Sequence, residues 1–410
     1  MDANVNPVAP GCLTNVKVLD LTQFEAGTSC TQVMAWLGAD VVKVENPGGG
    51  DPGRRTGATT PHKDDPYFLN YNSNKRSITV NLKSARGLQI VKDLAKKADV
   101  FMENFAPGAI ERLGLGYKVL SEINPGIIYG QVKGFGEGSP YANNLAFDMI
   151  AQACGGTMSV TGETDGPPAK PGATLGDSGT GMLMCISILA SLMKRKETGK
   201  GVHLQVAMQD AMLHYIRNAF CLTTKTGKPA RRAGAKNLEG NNPPCNIYPC
   251  APGGPNDYVY VYTSRGNPQH WPRLLEAIGR KDLIGDPRFE TREARVENEA
   301  EVEKIITEFT SKRDKYECMR VIGAAVPAGA VRDTAELLND PNFEERAIIQ
   351  KIQHPDHGAF KMAGWPVRFD GRPPSVKPAP LLGQHSGEVL KDWLGMNEEQ
   401  VSALRADKVI

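Results

Sequence analysis

The chain has 410 residues, too many for one ordinary hydrophobic core, so two domains are the starting expectation. Lys and Arg (48) nearly balance Asp and Glu (46), and 40% hydrophobic with 23% charged residues is a globular composition. A net charge of +2 gives no ground for expecting a nucleic-acid-binding or membrane-surface protein, so any anion site must come from local clustering.

The first 225 residues alternate strand-like and helix-like segments. The opening "MDANVNPVAPGCLTN" has no basic stretch followed by an apolar one, and no secretory leader is expected. "VKVLDLT" (16–22) reads as a strand, "CTQVMAWLGA" (30–39) as a helix ending at Gly38, and "DVVKVENP" (40–47) as a strand. "RGLQIVKDLAKKA" (86–98) is an amphipathic helix, followed by strand candidates at 99–105 and 126–136. The longest apolar run, Met182 to Met193, is too short to span a bilayer and is expected to be a buried helix. "VHLQVAM" (202–208) closes this region. The rhythm predicts an α/β fold, a parallel sheet covered by helices through right-handed crossovers.

Beyond residue 225 the texture changes. Residues 228–257, rich in Gly, Pro and Asn, read as one long loop leading into the alternating strand "YVYVYTS" (258–264). Helices are expected at 271–279 and 301–312, a hairpin at 354–369, and a last helix at 386–395 after a Pro-rich link. The expected division is 1–225 for a large domain, 226–330 for a smaller one with its linkers, and 331–410 for a C-terminal segment.

Several motifs can be excluded. The turn after the first strand holds one glycine, Gly27, where a dinucleotide fingerprint needs several. "ENPGGGDPGRR" (45–55) lacks the Lys-Ser/Thr ending of a P-loop. There is no H-E-x-x-H, no G-x-S-x-G and no Cys/His cluster with metal spacing. The eight cysteines are scattered and read as buried reduced thiols of a cytoplasmic protein. His62, His354 and His357 sit in loop-like contexts and are expected to be exposed.

Basic residues recur near the ends of the strand candidates: Arg54, Arg55, Lys75, Arg76, Lys83, Arg112 and Lys133. Ligands of open parallel sheets sit beyond the carboxyl ends of the strands, so this pattern points to a ligand carrying phosphates. Asp177, in "GATLGDSGTGM" (172–182), stands alone at the start of the apolar helix. One reading makes it an N-cap. The other makes it a nucleophile, because a carboxylate is already ionised near neutral pH and needs no His partner.

Together, "VLDLTQFEAGTSCTQVMAWLGADVVKVE", "NSNKRSITVNLK", "ADVFMENFAPGAIERLG", "NPGIIYGQVKGFGEGSPY", "FDMIAQACGG", "GDSGTGM" and "APLLGQHSGEVL" resemble the family III CoA-transferases over residues 16–395. The resemblance implies a Rossmann-like large domain with a parallel sheet plus a smaller α+β domain, in an interlocked homodimer. It implies transfer of CoA from an acyl-CoA to a small carboxylic acid, a dicarboxylate by family habit, with no permanently bound cofactor and no metal. Asp177 takes the nucleophile's place, with Glu25 and Asp148 beside the active site. Glu25, Ala26, Val80, Asn81, Leu82, Lys83, Asn104, Phe105, Ala106, Arg112 and Lys133 match CoA-contacting positions. The chain departs from the pattern at Glu25, where some relatives carry Gln, and at Asn46, where some carry a basic residue. The only match to a relative's mobile Gly-rich loop is "APGGPND" (251–257). Racemases that share the fold carry a His before the Asp of "FDMIAQ", where this chain has Phe147. Racemization and non-catalytic CoA binding remain as the alternatives.

Overall fold

The computed structural model describes residues 7–57, 63–238 and 240–410; His62 lies outside them. The chain divides into two compact units. One holds Met1–Thr157, Pro171–Tyr215 and Asp340–Ile410, the other Met158–Lys170 and Ile216–Asn339.

The first unit is built on six parallel strands: β1 (Lys17–Asp20), β2 (Asp40–Glu45), β3 (Arg76–Thr79), β4 (Val100–Glu103), β5 (Ile128–Lys133) and β6 (Val202–Ala207). Their order across the sheet is β3-β2-β1-β4-β5-β6. Helices α1 (Ala26–Trp36), α2 (Pro66–Asn72), α3 (Ala85–Lys97), α4 (Ala109–Arg112), α5 (Tyr117–Ile123), α6 (Asp148–Cys154), α7 (Thr180–Thr198) and α8 (Met208–Tyr215) occupy the connections. The strands read as apolar runs because both faces are covered: Val18, Leu19, Val41, Val42, Val100, Phe101, Ile128 and Tyr129 are all buried. Strand order reverses between β1 and β4, which opens a crevice beyond their carboxyl ends.

Helix α1 begins at Ala26, four residues before the expected start, and is buried along its whole length. Helix α7 is less enclosed than expected. Thr180, Gly181, Met184, Cys185, Ile188 and Leu192 form its buried face, while Ile186 and Met193 are exposed. Its uniformly apolar sequence hid that two-faced character. With the turn before it, the helical stretch Leu175–Thr198 has the length and mean hydropathy (1.4) of a membrane span, but it packs on α1, β5 and β6.

The second unit carries α9 (Arg217–Thr226) and an antiparallel sheet of β7 (Cys245–Pro249), β8 (Tyr258–Tyr262) and β9 (Ala328–Ala330). Its helices are α10 (His270–Ala277), α11 (Arg292–Glu297), α12 (Glu299–Thr310), α13 (Lys315–Gly323) and α14 (Thr334–Leu338). Tyr248, Val259, Val261, Trp271, Leu274, Phe289, Val302, Ile306 and Ile322 make its core. The long loop expected over 228–257 therefore contains a strand. Prolines flank β7 and its burial does not alternate strictly, with Cys245 and Tyr248 buried and Ile247 exposed, so the segment carries no period-two signal.

In the first unit the chain ends with α15 (Pro341–Glu345), the hairpin of β10 (Ile349–His354) and β11 (Gly358–Ala363), α16 (Ser386–Leu394) and α17 (Glu398–Ala406). The hairpin lies some five residues earlier than expected, and His354 is buried in β10 rather than exposed. His357 is half-buried, its Nε2 at 2.6 Å from the Asp64 carbonyl. All eight cysteines are free, and Cys12, Cys154 and Cys221 are exposed instead of buried.

Candidate active site

Two loops meet at the reversal of strand order. After β1, the segment Leu21–Glu25 turns into α1; after β4, Asn104–Ala106 turns toward α4. Asn104 ties them together: its Nδ2 donates to the Gln23 carbonyl at 2.8 Å, and its Oδ1 accepts from the Gln23 amide at 2.8 Å. Phe24 is held at φ +56, a left-handed conformation that a bulky residue rarely adopts. Its amide donates to Asp51 Oδ1 at 3.1 Å and its ring meets Phe147 edge-on at 5.8 Å.

Asp177 rises from a π-helical turn, Leu175–Gly179, that runs directly into α7. Such turns concentrate at functional sites. Its side chain caps neither this turn nor α7, which sets the N-cap reading aside. Gly181 seats the turn against α1. A Cβ there would stand 2.6 Å from the Ala26 carbonyl and 2.1 Å from Ser29 Oγ, so only glycine lets the two helices come this close.

Two further carboxylates surround the turn. Asp148, the first residue of α6, accepts the Gly176 amide at 2.9 Å through Oδ1, and Gln152 Nε2 donates to both its oxygens at 2.9 and 2.8 Å. Glu25 is buried, and its Oε1 accepts from Ser178 Oγ at 2.6 Å and from the Thr174 hydroxyl. Burial, then the negative charges of Glu25 and Asp148, push the Asp177 carboxyl up to about 7. No side-chain or backbone donor among the described residues bonds to it. Tyr67 and Tyr71, on α2, border the same cluster. Burial and the Glu25 charge raise both phenols, that of Tyr71 to about 12.

Asp177 opens into a cavity of about 250 Å³ lined by Gln23, Phe24, Ala26, Asn104, Phe105, Ala106, Lys133, Phe147 and others. A second cavity of about 300 Å³ shares Gln23 and Phe105 with it and is lined by Val80, Asn81, Leu82, Lys83 and Asn46. The structure thus gathers Ala26, Asn104, Phe105, Ala106 and Lys133 around the first cavity and Val80, Asn81, Leu82 and Lys83 around the second. Glu25 and Asp148 sit behind the Asp177 turn and line neither. Arg112 lies exposed on α4 and lines neither cavity.

The basic residues that pointed to a polyanion are mostly engaged elsewhere. Arg54 is buried, bonded to both oxygens of Glu45 at 2.7 Å. Lys75 is buried against Asp20 at 3.0 Å, and Arg76 pairs with Asp40 at 2.7 Å. Lys133 Nζ bonds Glu103 at 2.9 Å and the Phe105 carbonyl at 2.7 Å, which shapes the cavity wall. Only Arg55, Lys83 and Arg112 of that set are exposed. Thr174, Ser178, Gln152, Tyr67 and Tyr71 escaped the sequence reading. The i, i+4 tyrosines of "DPYFLNYN" were the one available signal.

A doubly wound parallel sheet thus presents Asp177, with two further carboxylates beside its turn, to a cavity at the reversal of strand order. The chain belongs to CoA-transferase family III, whose model matches residues 13–386, and it is an enzyme of the CoA-transferase type. It is 40% identical to the formyl-CoA:oxalate CoA-transferase of Streptomyces avermitilis, over 97% of this chain and 99% of that one. It is 36% identical to the Escherichia coli O157:H7 enzyme of the same name, with the same coverage. A CAIB/BAIF family protein from Brucella suis superposes with a TM-score of 0.81 at 31% identity, covering 92% of this chain and 98% of that one. The Mycobacterium tuberculosis protein Rv3272 follows at 0.76 and 28%, covering 93% and 99%.

Proposed function

We propose that the chain moves CoA from a short acyl-CoA to a small dicarboxylate, with Asp177 as the nucleophile. The names of the relatives make formyl-CoA and oxalate the first pair to test. The observation that carries the reading is Asp177 itself: a carboxylate with no hydrogen-bond donor among the described residues, raised to about 7, lining a cavity that shares Gln23 and Phe105 with a second one.

An Asp177 oxygen attacks the thioester carbonyl carbon, the C–S bond breaks, and CoA leaves as thiolate from a mixed anhydride. The thiolate then attacks the Asp177 carbonyl carbon, expels the donor acid as its carboxylate and leaves an aspartyl-CoA thioester. The acceptor carboxylate attacks this thioester, forming a second anhydride and freeing the thiolate. Attack of the thiolate on the acceptor's acyl carbon yields the new acyl-CoA and restores the Asp177 carboxylate. A carboxylate whose proton affinity has been raised is also the stronger nucleophile once ionised. The raised value reflects an ionised form destabilised by burial and like charge, which acylation neutralises.

In this reading the nucleotide end of CoA lies along Val80–Lys83 and the pantetheine passes Asn104–Ala106 to reach Asp177. Glu25 and Asp148 hold the turn from behind. The residues before Asp148 give no His for the α-proton shuttle of a racemase. We further infer an interlocked homodimer in the cytoplasm. Leu145, Phe147, Met149 and Ile150 are 72%, 54%, 46% and 40% exposed, an apolar surface that a second copy would cover.

The test is a panel of acyl-CoA donors against short mono- and dicarboxylic acids. Transfer to a dicarboxylate, lost in Asp177→Ala while CoA still binds, is the expected result. Turnover by Asp177→Ala, or exchange of an α-proton with no acceptor acid, would contradict it.

A further inference from the structure

Among the described residues none donates a hydrogen bond to the Asp177 carboxylate, so no side-chain contact of theirs orients it. Its direction is set by the backbone of the turn that bears it. That turn begins irregularly, at Thr174, whose φ of −78 and ψ of 61 are not helical. Geometry of this kind holds only if its surroundings fix it.

What fixes it is a set of hydroxyls gathered on one buried oxygen. Glu25 stands at the N-cap position of α1, yet its side chain caps nothing there. Its Oε1 reaches across to α7's leading turn and accepts from Thr174 on one side of Asp177 and from Ser178, at 2.6 Å, on the other. Thr174 and Ser178 bracket the nucleophile by three residues and by one. Asp148 grips the turn between them, at the Gly176 amide. In a buried network of this kind each bond strengthens the others, and loss of one donor leaves an acceptor poorly satisfied.

We infer that Thr174 and Ser178 are positioning residues for transfer, their hydroxyls locking Glu25 across the turn so that Asp177 faces the thioester. The inference rests on the reading of Asp177 as nucleophile. Neither hydroxyl touches the substrate cavity lined by Asp177. They therefore govern the alignment of attack and not the capture of CoA.

The test uses Thr174→Val, which keeps the shape and removes the hydroxyl, Thr174→Ser, which restores it, and Ser178→Ala. A displacement of the nucleophile by about 1 Å costs roughly a hundredfold in rate, so Thr174→Val is expected to lower kcat about ten- to a hundredfold. The KM for acyl-CoA should stay within about twofold, because uniform binding is untouched. Thr174→Ser should recover most of kcat, and Ser178→Ala should also lose kcat, again at constant KM. A purely structural role would instead lower the melting temperature and leave kcat per folded enzyme unchanged. The inference is overturned if Thr174→Val turns over like the parent, or if Thr174→Ser is no better than Thr174→Val. Should Thr174→Val fail to fold, Ser178→Ala decides: unchanged kcat overturns the inference. Hydroxylamine trapping on the parent separates the two levels. Labelled Asp177 beside an active Thr174→Val sinks this inference alone, whereas an unlabelled Asp177 sinks the reading beneath it.

Discussion

Asp148 Oδ1 accepts the backbone amide of Gly176 at 2.9 Å, so the residue just before the nucleophile is tied to a buried carboxylate on another helix. That bond brings negative charge near Asp177 and holds its turn at the same time. The proposed catalysis depends on both effects, and they can be separated by experiment.

The charge effect predicts a pH profile. Asp177 must be ionised to attack, and its carboxyl is raised to about 7 by burial, Glu25 and Asp148. The value of kcat/KM should rise with pH through a limb near 7 and level off above it. Glu25→Gln removes the larger of the two charge contributions, so the limb should move to lower pH. A limb that stayed in place or moved upward in this variant would contradict the electrostatic account.

Stability should respond in the opposite sense to activity. The folded value, about 7, lies above the ordinary carboxyl value of 3.8, so the folded state holds a proton that the unfolded state has lost between these limits. Stability from this group is present below about 4 and falls as pH rises toward 7. Asp177→Asn should therefore melt higher than the parent, by a few degrees at pH 8 and by less at pH 5. Equal melting temperatures at both values would show that the acid is not destabilised in place.

The packing of α1 on α7 gives a third expectation. Gly181→Ala places a methyl 2.6 Å from the Ala26 carbonyl, which cannot yield without moving α1. Overpacking of this kind costs about 1–3 kcal/mol. Because the next residues outward are Glu25 and Asp177, kcat should fall as well. A variant that is fully stable and active would show that the helices have slack.

Lys133 is expected to act on the CoA channel through structure. Its Nζ joins Glu103 to the Phe105 carbonyl, and Phe105 borders both cavities. Lys133→Met leaves a fully buried carboxylate without its cation, which should cost up to roughly 3 kcal/mol. The KM for acyl-CoA should rise more than kcat falls. A change in kcat alone would place Lys133 at the reacting centre.

The sheet was readable from the chain because strands such as "VKVLDL" and "DVVKVE" are rich in Val and Leu and place adjacent apolar residues on both faces, and because Gly38 closes the first helix. Strand β7 was not, since the prolines and asparagines around its five residues carry a loop signal and the strand itself has no regular alternation. Asp177 stood out in sequence because it is an acid among small residues at the head of an apolar run. The role of its neighbours did not, because Glu25, Tyr71 and Asp148 come from three separate helices that only tertiary packing assembles. The basic residues misled for the same reason. Arg54, Lys75 and Arg76 each meet an acid distant in sequence, Glu45, Asp20 and Asp40, and are neutralised before any ligand arrives.

The central claim is that Asp177 becomes covalently acylated during turnover. Enzyme mixed with acyl-CoA, quenched with hydroxylamine and digested for mass spectrometry should carry a hydroxamate on the peptide containing Asp177, at that residue and only when the thioester is present. Steady CoA transfer with Asp177 unmodified, or the hydroxamate on Glu25 or Asp148 instead, would contradict the account.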